Sequence, residues 1–339
     1  TLTNATFSAN GANTAGGMYN STNSTPTLTD VTFSDNTVAY EGGGMGNWYS
    51  SPTLANVTFS GNSADNSGGG MLIRKGNPSL TDVVFSGNSA VWGGGMYNDQ
   101  GSPTLDNVTF SDNSADYDGG GILTYGSETL TITYSNFYNN IAGRHGGGIS
   151  KSTGTVTITD SYFANNSADA YGGAIKNSEG ALNIIKSFLT YNIAGWGGGT
   201  FNEGSLYVPD STFHLNSANI GGGIYNHENS TLFTVNSTFS ANSAADYGGG
   251  ISNWRGNVAI IYSTFSTNSA NHGGNIDNSG TLEIANSILA DSPSGGNCEG
   301  TITDEGHNID DGNTCSFGPD SWSSRDPLLA PLGDNGGPT

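Results

Sequence analysis

The sequence predicts an all-β protein, a right-handed parallel β-helix (β-solenoid) of about twelve coils built on one degenerate repeat of roughly 26 residues. Three observations carry that expectation. A large apolar residue is followed three positions later by Asn at Phe7/Asn10, Phe33/Asn36, Phe59/Asn62, Phe85/Asn88, Phe110/Asn113, Phe137/Asn140, Phe163/Asn166, Leu189/Asn192, Phe213/Asn216, Phe239/Asn242 and Phe265/Asn268. A weaker final copy is Ile288/Asp291. Between copies lies a glycine run ending in one apolar residue, which gives the column Met18, Met45, Met71, Met96, Ile122, Ile149, Ile175, Thr200, Ile224, Ile251 and Ile276. An alternating stretch such as Leu28-Thr29-Asp30-Val31-Thr32-Phe33 breaks on an Asn or Asp at Asn4, Asp30, Asn56, Asp82, Asn107, Asp160, Asp210 and Asn236.

The alternating stretches read as two short strands meeting at a corner, with Thr32 outward and Phe33 inward. Asn and Asp suit that corner because they tolerate left-handed backbone and bond their own main chain. The glycine runs supply a second bend or a close approach of neighbouring coils. Stacking makes equal positions neighbours, so Asn36, Asn62, Asn88, Asn113, Asn140, Asn166, Asn192, Asn216, Asn242 and Asn268 are expected to pass amide hydrogen bonds from coil to coil. A second column, Asn20, Asn47, Asn98, Asn177, Asn202, Asn226, Asn253 and Asn278, is expected to do the same on another face. Coils ~4.8 Å apart would give a rod of roughly 55 to 60 Å. The repeat is too short for a four-stranded propeller blade.

Composition narrows the function. Among 339 residues, 53 are Gly and 34% are hydrophobic, which alone would suggest disorder, but only 11% are charged and 10% are aromatic rings that need burial. Asp and Glu number 29 against 8 Lys and Arg, so nucleic acid is excluded as a partner by repulsion. No apolar run is long enough for a transmembrane helix, and Thr1-Leu2-Thr3 does not resemble a signal peptide. The chain is expected to be a mature or trimmed piece of a longer precursor, with residues 1–290 forming the repeats and 291–339 a capping segment. Cys298 and Cys315 lie close enough in sequence to close a loop by a disulfide, the alternative being two free thiols.

Two stretches resemble known families. Phe163-Ala-Asn-Asn166 with Gly172-Gly173-Ala174-Ile175 is similar to the repeat of chlamydial polymorphic outer membrane proteins, which implies a β-helical surface adhesin, although no membrane-barrel domain follows. Asn297-Cys298, Gly306-His307-Asn308, Cys315 and Asp326-Pro327-Leu328-Leu329-Ala330-Pro331-Leu332-Gly333-Asp334-Asn335-Gly336-Gly337-Pro338-Thr339 resemble the segment closing the β-helix in bacterial choice-of-anchor Q domain proteins. That resemblance implies secretion and retention at the cell surface.

An aromatic stripe precedes the glycine runs at Tyr40, Trp92, Tyr117, Tyr171, Trp196 and Tyr247, interspersed with His145 and His272. Rings facing outward would stack on sugar faces; the alternative is that they pack down over the glycines. Asp65, Asp116, Asp118, Asp169 and Asp246 lie nearby and make calcium conceivable, but the nonapeptide of calcium rolls is absent and no metal ligands or cofactor are assigned. No convergent carboxylates or bases stand out, and Arg74, Lys75, Lys151, Lys176 and Arg255 read as solvated surface charge. The expected function is therefore an extracellular structural or adhesive surface protein without catalysis. Its expected partners are copies of itself stacked end to end into a filament, and surface glycans. The alternatives are a carbohydrate-active enzyme or a glycan-binding module on the same scaffold.

Overall fold

Three bends per coil fold the chain, and the first and third can be traced to local backbone preference. The computed structural model describes residues 1–126 and 128–333; the motif residues Asp334, Asn335, Gly336, Gly337, Pro338 and Thr339 lie outside the described residues. The first bend is the predicted corner, where Asn4, Asp30, Asn56, Asp82, Asn107, Asp160, Asp210 and Asn236 all take φ between 48° and 55°. The second falls just before the ladder asparagine, at residues such as Asp35 (φ 54°) and Asn139 (φ 56°). The third is the first glycine of each run, for example Gly42 at φ 72°.

The other two glycines of a run serve close approach. A Cβ on Gly43 would sit 2.2 Å from the Gly69 carbonyl oxygen of the next coil, and one on Gly44 would sit 2.7 Å from the Phe59 ring. Both distances are sterically forbidden, so both expected roles of the run are present.

Contacts divide the chain into a first unit, Thr1–Ala170 with Ala174–Gly180, and a second that holds Tyr171–Gly173 and the chain from Ala181 onward. Each is a parallel β-solenoid, and together they make about 11 turns. No helix occurs among the described residues. In the first unit one sheet contains Thr27–Ser34 and Thr53–Ser60, with Leu28↔Leu54 and Phe33↔Phe59 in register. A second contains Thr37–Val38 and Ser63–Ser67. A third stacks Met45–Trp48, Met71–Arg74, Met96–Asp99, Ile122–Tyr125, Ile149–Lys151 and Ile175–Asn177. The second unit repeats the pattern, with Phe213↔Phe239↔Phe265 and Ile224↔Ile251↔Ile276.

The interior is narrow and made of columns. In the first unit the rings of Phe7, Phe33, Phe59, Phe85, Phe110, Phe137 and Phe163 stack at 4.5 to 5.0 Å, the spacing that parallel strands impose. Beside them runs the asparagine ladder. The Asn62 side-chain amide donates to the Phe33 carbonyl (2.9 Å) and to Asn88 Oδ1 (2.9 Å), while the Asn62 backbone N–H also donates to Asn88 Oδ1 (3.0 Å). The same triple recurs at Asn36, Asn88, Asn113 and, from Asn140 to Asn166, at the last rung. Each buried amide therefore has both hydrogens and its oxygen engaged.

In the second unit the ladder runs from Asn192 through Asn216 and Asn242 to Asn268, then to Asn275 and Asn297. It ends where Asn297 donates to the carboxylates of Asp310 (2.6 Å) and Asp311 (2.5 Å). A carboxylate only accepts, so the relay stops there. This corrects the last copy of the repeat: Leu289, not Ile288, is in register with Phe265, and Asp291 is exposed because it occupies the second bend (φ 55°) instead of the ladder. Cys298 and Cys315 are joined by a disulfide and buried.

Candidate binding groove

Outward positions of the third sheet, and the chain flanking it, form a groove in the first unit. Its floor is the position after the inward Met or Ile, occupied by Tyr97, Leu123, Ser150 and Lys176 in registered strands. One wall comes from the residues before the glycine runs, which carry Glu41, Trp92 and Asp118, with Arg144 beside them. The other comes from the strand end at Tyr125, in register with Asp99 and Arg74, which stand beyond the lining. The enclosed space is about 460 Å³.

Charges in the groove are paired. Arg144 bonds both carboxylate oxygens of Asp118 at 3.2 Å, and its guanidinium lies 5.7 Å from the Trp92 ring centre and 5.6 Å from that of Tyr117. Arg74 Nη2 reaches Glu41 at 2.9 Å, and its Nε lies 3.3 Å from Asp99. Burial pushes His145 down to about 4, with the Lys176 ammonium adding to the effect, so the ring is neutral at physiological pH. Burial and then Asp99 raise the Tyr97 hydroxyl above its ordinary range.

The aromatic stripe is neither uniformly outward nor packed down. Tyr40 is 60% exposed and Tyr117 and Tyr247 are also exposed, whereas Trp92, Tyr171 and Trp196 are half-buried. Trp92 stacks on Tyr117 at 4.9 Å in the first unit. In the second unit Tyr171 packs against Trp196 (5.3 Å) and Phe201 (4.4 Å), and Tyr225 joins Phe201 at 5.3 Å. The acidic residues considered for calcium do not converge. Asp118 faces Arg144, Asp65, Asp116, Asp169 and Asp246 are exposed, and no group of three or more His, Cys, Asp or Glu that could hold a metal occurs among the described residues.

The second unit holds a carboxylate pair that sequence reasoning missed. Asp277 and Glu299 are in register on neighbouring strands, Ser252 Oγ donates to Asp277 at 3.0 Å, and His272 Nδ1 lies 2.9 Å from Glu299. Burial pushes Asp277 up to about 6, and Glu299 adds to the shift. Asp277 follows inward Ile276 at a regular column position, whereas Glu299 follows Cys298 in the irregular C-terminal stretch, so the pair does not align in the sequence.

The family described as a right handed beta helix region matches residues 53–189. The chain folds as a right-handed parallel β-helix. No curated protein and no solved structure matches it.

Lys151 corrects the expectation of surface charge. It lies inside the β-helix with no exposed area, at the position that carries Asn177 in the next coil, because it is two residues beyond inward Ile149 and shares its face. Its ammonium donates to Asn177 Oδ1 at 2.8 Å and to the Glu179 carbonyl. Burial lowers it to about 8. The alternation was readable, but a lysine next to glycine-rich, polar sequence gave no apolar context to mark it as internal.

Proposed function

We propose that this β-helix is a structural and adhesive protein that works outside the cytoplasm, at the cell surface. The observation that carries the reading is the contrast between fixed inward and varied outward positions. Inward, Phe and Asn columns commit their ring faces and amides to the neighbouring coils. On the other face, equivalent positions of the third sheet carry Tyr97, Leu123, Ser150 and Lys176 in one unit and Phe201, Tyr225, Ser252 and Asp277 in the other, of which Tyr97, Lys176 and Asp277 keep contact with solvent. A scaffold that repeats inside and varies outside suits the display of a contact surface. The disulfide supports an oxidising compartment, and the resemblance of the C-terminal stretch to choice-of-anchor Q proteins supports retention at the surface. Copies stacked end to end belong to the same proposal, and electron microscopy of purified protein distinguishes filaments from isolated particles. The adhesive role is tested by adding labelled protein to polysaccharide-coated and cell-coated surfaces, where retention without substrate breakdown is expected. Release of new reducing or unsaturated ends would overturn it.

A second reading, a carbohydrate-active enzyme, is favoured by Asp277 and Glu299. A carboxyl held protonated up to about pH 6 beside a second carboxylate side chain is the kind of pair that glycoside hydrolysis uses. Loss of such end release in Asp277→Asn, with the β-helix still folded, would carry that reading.

A further inference from the structure

The groove of the first unit has a chemistry that selects among ligands, and the inference drawn from it rests on the adhesive reading. In a chain of net charge −21, the charges lining this groove cancel, Glu41 and Asp118 standing against Arg144 and Lys176. Each of the two carboxylates already faces a guanidinium, at 2.9 Å for Arg74–Glu41 and 3.2 Å for Arg144–Asp118. A polyanion is repelled by the rest of the surface and finds no excess of positive charge here. A polycation is attracted at long range but finds those carboxylates engaged.

What the groove offers instead is ring faces and hydroxyls. Trp92, Tyr97 and Tyr125 line it, together with Ser67, Ser150 and Ser152. Serine hydroxyls both donate and accept, and Arg144 spends two of its five donors on Asp118. Vicinal sugar hydroxyls also donate and accept together, and the apolar C–H face of a pyranose stacks on an aromatic ring. Floor and wall positions recur once per coil at ~4.8 Å, a step close to the length of one sugar ring. A linear chain lying along the stacking direction would meet equivalent positions in successive coils.

We propose that this groove binds a neutral, linear oligosaccharide, with Trp92, Tyr97 and Tyr125 against sugar faces and the Arg144–Asp118 pair hydrogen-bonded to hydroxyls. Titration calorimetry with cellohexaose and maltohexaose as neutral probes, a galacturonate oligomer as the acidic one and a chitosan oligomer as the cationic one tests it. At least one neutral probe is expected to bind, with an affinity unchanged on adding salt. Trp92→Ala and Tyr125→Ala should each weaken it by about tenfold or more, as truncation of an aromatic anchor does, while Tyr207→Ala in the second unit leaves it unchanged. Tyr125 is 52% exposed, so its variant keeps the fold and reports on binding even where Trp92→Ala does not. Failure of both neutral probes, binding of only a charged probe that salt abolishes, or affinity indifferent to Tyr125→Ala overturns the proposal. The adhesive reading falls separately, if labelled protein is not retained on cell-coated surfaces or releases new sugar ends.

Discussion

Two asparagine columns run inside the coils of the first unit, and only one is unbroken. The ladder from Asn10 to Asn166 keeps asparagine at every rung. The column from Asn20 to Asn177 accepts Ile73, Thr124 and Lys151 in place of it. Beyond the terminal Asn10 both are buried, so burial does not explain the difference. Each ladder amide answers for its own bend: it binds a Phe carbonyl and the next asparagine, and its oxygen takes the backbone N–H of the rung before. In the second column the partners vary, with Asn47 donating to the Leu72 carbonyl and Asn98 to the Gly101 carbonyl and Thr124 Oγ1. Residue identity follows the number of backbone groups a side chain must satisfy.

The comparison is broken most directly by Asn88→Leu. It takes one donor from the Phe59 carbonyl and leaves two Asn62 donors without their acceptor, so a loss of about 4 kcal/mol is expected, at ~1–3 kcal/mol per orphaned buried group. Urea unfolding followed by circular dichroism measures it. Lys151→Met should act in the opposite direction and stabilise the protein by about 2 kcal/mol at pH 7, because a buried ammonium is replaced by an apolar chain of similar length. The folded lysine titrates near 8, below its ordinary 10.5, so between those values the unfolded chain binds more protons. Its contribution therefore grows as pH rises from 8 to 10.5 and is lost as pH falls through 8. The gap between variant and wild type should narrow over that window, and a gap independent of pH would contradict the burial of charge.

Asn98→Leu sharpens the contrast with a smaller cost, about 1 kcal/mol, because Asn98 Oδ1 is itself buried without a hydrogen-bond partner. A loss equal to that of Asn88→Leu would mean that the two columns are equivalent. Smallest is Thr32→Asp, at an outward, half-buried position, where a change within about 0.5 kcal/mol is expected. A melting temperature as low as that of Asn88→Leu would refute the outward assignment.

Much of the fold was readable because the columns use residues with distinctive chemistry: Phe for stacking, Asn for paired amides, Asn or Asp for the left-handed corner. The second bend was not, since Ala9, Tyr191, Leu215, Ala241 and Thr267 take φ between 53° and 59° there without being glycine or asparagine. Stacked neighbours impose that conformation, and no local preference announces it. A serine column was also hidden. Ser135 and Ser161 follow the corner where Val57 and Val83 stand in earlier coils, and Ser161 Oγ accepts the Ser135 N–H at 3.1 Å while donating to the Thr159 carbonyl at 2.8 Å. Polar residues in an alternating pattern look outward until their bonds are seen. For the groove, the aromatic stripe was visible, but Tyr97 lies on a strand position that carries Leu, Ser or Lys in other coils and Tyr125 on one that carries Asp99 and Arg74, and only register brings them beside Trp92.

The asparagine ladder also bears on how such a chain can change length over generations. Every rung offers the same acceptor backward and the same donors forward, so repeats are interchangeable parts. Loss of residues 63–88 by unequal exchange would join Asn62 to Ser89 and set the Asn62 amide against Asn113, restoring the bonds it had to Asn88. Copy number can therefore drift by whole coils without a defect at the seam, whereas an insertion of part of a coil would put an amide out of step with its neighbours on both sides.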